Sequence, residues 1–144
     1  MHRLLIPLVT VLLACSSTEP TKVWQEQLND ARERWEQAGI SSYTFRYTRH
    51  CFCPQVALQV TVHNNVITGI HDVAADTAYV APFGAYSIPH LFAQVQDFID
   101  RPVAELTVSY DSATGMPLTV AADPIANAID DENGFSLTEF APTP

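Results

Sequence analysis

The sequence predicts an α+β fold, an antiparallel sheet with its elements in the order helix, three strands, helix, three strands. Three observations carry this. Two segments space their apolar residues three and four apart, the period of a helix with one buried face. The segments between them alternate apolar and polar residues at period two, the mark of strands with one buried face. Short turns join these strands, which makes neighbours antiparallel, and the helices stand outside the strand runs, unlike those of a wound parallel sheet.

The first helix lies in "TKVWQEQLNDARERWEQAG", where Trp24, Leu28, Ala31, Trp35 and Ala38 form one stripe. Thr21 is a suitable N-cap, and Gly39 stands where a left-handed residue ends a helix. In "SYTFRYTRHCFC" the period becomes two, with Tyr43, Phe45 and Tyr47 on the inner face. The segment "VALQVTVHNNVITGIHDV" then reads as a hairpin turning at Asn64-Asn65. A tight turn sets Val62 against Ile67 and Leu58 against His71, with His71 inward and His63 outward. A looser stretch, "AADTAYVAPFGAY", leads to the second helix. Ser87 caps that helix, Pro89 fits its first turn, and Ile88, Leu91, Phe92, Val95, Phe98 and Ile99 form its apolar face. Pro102 stops it. "VAELTVSYD" and "MPLTVAAD" follow as strands about the turn "SATG", with Pro117 marking an edge strand or a position whose N–H faces solvent. A last short strand is expected near "GFSLTEF".

The formal charge is −9, and it is unevenly placed. Six of the seven Lys and Arg residues lie at or before Arg49; from His50 onward Arg101 alone faces eleven acids, a net −10. Such a surface repels phosphates, which excludes nucleic acid as a partner and leaves no polybasic patch for a membrane.

Membrane contact must therefore come from elsewhere, and the N-terminus supplies a source. "MHRLLIPLVTVLLAC" has one basic residue, Arg3, then an apolar run too short to span a bilayer, ending in small residues. This is the anatomy of a secretory signal. Leu12-Leu13-Ala14-Cys15 resembles the lipobox of bacterial lipoproteins, which implies cleavage before Cys15 and attachment of a diacylglycerol and an N-acyl chain to it. Each buried methylene of such chains contributes about 0.8 kcal/mol. The division expected is a signal peptide over 1–14, a lipidated tether over 15–21 and a single α+β domain over 22–141. The implied location is the bacterial cell envelope, facing periplasm or exterior, with the membrane held through the lipid on Cys15.

Further along, the chain resembles a family of small bacterial lipoproteins that share a domain of unknown function. The resemblance rests on Trp35 with Gly39, "SSYTFRY", "CFCP", "VTV" before a turn, "IPHLF", "YDSATGMP" and Asp123. The family's turn after "VTV" usually carries Asp-Gly or Gly, where this chain has Asn64-Asn65. The resemblance implies an exported, anchored domain and assigns no activity, cofactor or catalytic residue.

With Cys15 acylated, Cys51 and Cys53 remain, an even number in an oxidising compartment. Both continue the phase of Tyr43, Phe45 and Tyr47, which points them toward the core face. Two strand residues span about 6.6 Å, near the upper limit for a disulfide, so a local bridge requires a bend at the strand end. Two buried thiols or a bridge to another protein are the alternatives. C-x-C at the end of a strand differs from the C-x-x-C at a helix N-terminus that lowers a thiol pKa. A zinc site would need His63 and His71 to converge with the cysteines, and the tight-turn register places them on opposite faces. His90 reads as a surface residue. Asp123, Asp130, Asp131 and Glu132 lack the spacing of a calcium loop. No nucleophile elbow is present. The sequence thus implies no metal and no cofactor. It reads as a lipid-anchored envelope protein presenting a non-catalytic binding or interaction surface, possible partners including another envelope protein. The alternative is a thiol-redox protein or other envelope enzyme using Cys51 and Cys53.

Overall fold

The computed structural model describes residues 19–80 and 86–143. The expected signal peptide, Cys15 and most of the expected tether lie outside the described residues, as do 81–85 of the connection leading to the second helix. Helix α1 spans Pro20–Ala38 and is followed by β1 (Tyr43–His50), β2 (Ala57–His63), β3 (Val66–Asp72) and β4 (Thr77–Ala78). Helix α2 (Ile88–Asp100) then leads to β5 (Glu105–Tyr110), β6 (Pro117–Asp123) and β7 (Asn133–Pro142). The strands form one antiparallel sheet in the order β4-β3-β2-β1-β7-β6-β5. The α+β class holds, with the two-residue β4 added at one edge.

Both helices cover one face of this sheet. Tyr43, Phe45 and Tyr47 of β1, Leu58, Val60 and Val62 of β2, and Phe135 and Leu137 of β7 are buried against Leu28, Ala31 and Trp35 of α1 and Leu91, Phe92 and Val95 of α2. Aromatic edges lock the layers: Trp35 meets the Tyr43 ring edge-on at 5.5 Å, and the Tyr43 hydroxyl accepts the Ile88 N–H at 3.0 Å. This last bond satisfies a donor in the first turn of α2 that no helical carbonyl reaches.

Local chemistry explains most boundaries and corrects several expectations. Helix α1 starts at Pro20 with Glu19 as its cap, not at Thr21, because proline at the first helical position has its φ preset and no N–H to satisfy. It ends at Gly39 with φ +62, where a left-handed residue was expected. Ala38 is exposed, so the buried stripe is shorter by one residue. Ser87 holds the cap position of α2, but its hydroxyl bonds the His90 ring rather than a backbone N–H.

The Asn64-Asn65 turn forms with both residues at positive φ, and Val62 does face Ile67. One residue later the ladder slips: Thr61 pairs with Gly69, and Leu58 pairs with Asp72 rather than His71. The extra residue, Thr68, makes a bulge that turns His71 to the outer, exposed face. Pro117 is not on an edge strand. It is the first residue of β6, between β5 and β7, where a missing N–H costs no established ladder bond. The last strand, expected to be short, has ten residues and sits centrally between β1 and β6. A bulge at Glu139, φ +53, lets Phe140 return to the core beside Trp35 and Tyr43.

The "YDSATGMP" segment is the turn that seats β5 and β6 against α1. The Asp111 carboxylate accepts the N–H of Thr114 at 2.7 Å, its hydroxyl at 2.8 Å and the N–H of Ala113 at 3.2 Å. These bonds hold the Asp111 carboxyl below its usual range. Gly115 has φ +77, and a Cβ there would overlap the Ala31 carbonyl of α1. The motif is a device for close approach of turn to helix.

Candidate functional site

Strand β1 ends at His50, and the chain bends through Cys51–Phe52–Cys53. The Cys53 N–H donates to the Cys51 carbonyl at 2.8 Å, a three-residue turn that brings the two Cα atoms to 5.2 Å with the sulfurs joined. Because the strand has already ended, the cysteines do not continue its inward phase. Both are half-exposed, and Phe52 between them is 80% exposed.

The histidines do not converge on the sulfurs. His63 bonds the Ser42 hydroxyl at 3.1 Å, His71 bonds Asp76 at 3.1 Å, His50 bonds Ser136 at 2.9 Å, and His90 bonds Ser87. His63 lies on the outer face by the phase of β2, and the Thr68 bulge places His71 there as well. Among the described residues no group of three or more His, Cys, Asp or Glu side chains is placed to hold a metal ion. Asp123 caps its own turn by accepting the Ile125 N–H at 3.1 Å.

The arrangement with chemical potential lies elsewhere. Past Tyr47, β1 keeps its inward phase for one more residue, and that residue is Arg49. It lines a cavity of about 430 Å³ between the end of β1, the start of β7 and the last turns of α2. Tyr47, Phe98 and Phe135 supply aromatic walls, and Arg101 supplies a second guanidinium. Thus two of the chain's seven Lys and Arg residues border one space in an acidic protein.

The two cations differ in their commitments. Arg49 donates through Nη2 to the Pro54 carbonyl at 3.3 Å, while its buried Nε, like those of Arg34 and Arg46, has no hydrogen-bond partner among the described residues. Arg101 pairs with Asp97 at 3.5 Å on the exposed surface and lies over the Phe98 ring at 5.9 Å. An exposed pair of this kind is worth little and yields to a better anion. Tyr47 stacks on Tyr86 with centroids 4.4 Å apart, and burial, with the Tyr86 phenol beside it, raises its hydroxyl well above the ordinary range. The phenol therefore stays protonated, a neutral donor or acceptor at the cavity wall.

A second cavity of about 450 Å³ opens at the other end, between α1, α2 and the β2–β3 turn. Its cation, Arg32, is engaged by Gln96 at 3.1 Å and the Phe92 carbonyl at 3.2 Å. The Arg49 cavity is the better equipped for an anion. Reasoning from sequence missed it, though a signal was present: a charged residue at the next core-facing position of an aromatic strand.

Fold and cavity together define the class: a two-layer α+β domain, one antiparallel sheet under two helices, with an arginine-bordered pocket at one end of its core. The chain belongs to the Family of unknown function (DUF6174), whose model matches residues 27–142. No curated protein and no solved structure matches the chain. Among the described residues no helix is long and apolar enough to cross a membrane.

Proposed function

We propose that this protein is an exported, lipid-anchored domain of the bacterial cell envelope that acts as a non-catalytic binding module. Its ligand site is the cavity bordered by Tyr47, Arg49, Phe98, Arg101 and Phe135. One observation carries the reading: Arg49 stands at a core-facing strand position and borders, with Arg101, a cavity with aromatic walls. A guanidinium held in place by neighbouring packing recognises a carboxylate geometrically, by paired N–H donors, while aromatic walls take an apolar body. The ligand class is a small organic acid with an apolar or aromatic portion. In this reading Cys51 and Cys53 form a local disulfide that fixes the chain leaving Arg49, and Cys15 carries the lipid.

Calorimetric titration of the purified chain with phenylacetate, and with neutral phenylethanol, tests the site. Heat of binding is expected for the acid alone, and Arg49→Gln should weaken it at least tenfold, the usual scale for losing a charge-assisted hydrogen bond. Equal binding of acid and alcohol, or of wild type and variant, would sink the reading.

The half-exposed sulfurs favour one other reading, thiol-redox chemistry at Cys51 and Cys53. Alkylation under mild reductant separates the two. A bridge that stays closed argues for structure, and rapid modification of one low-pKa thiol argues for redox.

A further inference from the structure

The two ends of the domain differ in character. The end where β1 stops and β7 starts gathers the loops 51–56, 73–76, 101–104 and 124–132. Seven large apolar side chains are exposed among the described residues, and most of them are here. Phe52 is 80% exposed, Ile125 62% and Ile129 87%, and Val73, on the 73–76 loop, is exposed at the same end. Phe52 and Asp130 border one cavity, so the cysteine loop and the 124–132 loop adjoin. Val66, 62% exposed, lies at the opposite end beside the Asn64-Asn65 turn.

The N-terminus of α1 also points to the loop-bearing end. Gln25 exchanges amide hydrogen bonds with Gln96, whereas Arg32, further along α1, reaches back to the Phe92 carbonyl. The helices are therefore antiparallel, and the C-terminal turns of α2 stand beside Tyr47, Arg49 and Phe135 at the end of β1. Pro20 lies about 7.5 Å beyond Gln25 along α1, and Asp100 about 6 Å beyond Gln96 along α2, so the two reach similar heights. Four residues lie between Cys15 and Pro20, and the five steps from one to the other span at most ~18 Å. Val23, in the first turns of α1, adds another exposed apolar side chain at this end.

We propose that this end docks on the lipid bilayer, with Phe52, Ile125 and Ile129 entering the headgroup layer. The proposal rests on the anchor at Cys15 argued above. A lipid so close to Pro20 brings this end, and not the Val66 end, to the membrane. Apolar loop tips then add a contact that holds the domain's orientation, since insertion of such side chains by about 5–10 Å removes apolar area from water. The contact is apolar rather than electrostatic: Asp123, Asp130, Asp131 and Glu132 flank the tips, which favours zwitterionic over anionic lipid. The Arg49 cavity opens at this same end, beside the membrane surface.

The test uses the lipidated full chain in phosphatidylcholine vesicles with brominated acyl chains, which quench nearby tryptophan. Phe52→Trp and Val66→Trp place one reporter at each end on exposed positions that do not disturb the core. Trp24 and Trp35 contribute equally to both variants. Quenching of the Trp reporter in Phe52→Trp is expected to exceed that in Val66→Trp by at least about twofold. Equal quenching in the two variants, or none in either, overturns the docking. A blue shift of Phe52→Trp in native membranes that is absent from pure lipid also overturns it, assigning this end to an envelope protein. The acyl mass of the N-terminal peptide is measured on the same preparation. If that mass is present without differential quenching, docking alone fails; if it is absent, the anchor and the docking fail together.

Discussion

Gly115→Ala probes the contact on which the packing of α1 against the second half of the sheet depends. Gly115 has φ +77, and its missing Cβ would coincide with the Ala31 carbonyl and lie 3.0 Å from the Arg34 Cβ. An L-residue in the left-handed region costs about 1–2 kcal/mol. Forcing a methyl group into a packed contact costs about 1–3 kcal/mol more, because the obstacle is helix backbone rather than a flexible side chain. The sum is about 2–5 kcal/mol, a large share of the ~5–15 kcal/mol that holds a domain folded. Gly39→Ala is the control: φ is +62, but nothing among the described residues lies within 4 Å of where its Cβ would stand, so only the conformational cost of about 1–2 kcal/mol applies. Urea unfolding followed by tryptophan fluorescence gives both values. If Gly115→Ala costs no more than Gly39→Ala, the turn does not press on the helix as described and the account of "YDSATGMP" is wrong.

The Cys51–Cys53 bridge closes a loop of only three residues, so its loss in the double Cys→Ser variant should cost no more than about 1.6 kcal/mol. A loss above ~3 kcal/mol in the same urea titration would mean that the bridge holds more than its own loop. Alkaline pH should also unfold the domain. Burial pushes the Tyr110 hydroxyl up to about 12 and raises those of Tyr43, Tyr47 and Tyr86 above the ordinary value of 10.0. A folded-state pKa above the unfolded one gives stability that is intact below about pH 10 and falls as pH rises toward the folded value. Urea midpoints should therefore hold to about pH 10 and drop beyond it, less steeply in Tyr110→Phe; a flat profile through about pH 11 contradicts the burial argument.

Local periodicity carried much of this architecture. The Trp24, Leu28, Trp35 stripe, the Tyr43, Phe45, Tyr47 alternation and Gly39 as a stop are each set by neighbours in sequence. What local pattern does not encode is what the sheet decides. The Thr68 bulge reverses the face of His71, and nothing in "VITGIHD" requires an extra residue opposite Thr61. Strand β7 reaches its length because it lies between β1 and β6, partners remote in sequence. β4 exists only as two pairings to the end of β3. The cavity is a middle case. The phase of β1 already points Arg49 inward, but Phe98, Arg101 and Phe135 come to it through tertiary packing alone.

The proposed anchor at Cys15 underlies the proposed placement at the envelope, its oxidising compartment and the orientation on the bilayer, and intact-mass measurement of the mature protein taken from bacterial membranes tests it most directly. A chain beginning at Cys15 and heavier than its residues by a diacylglyceryl group, with or without an N-acyl chain, is the predicted result. A chain that keeps Met1 and carries no acyl mass would contradict it.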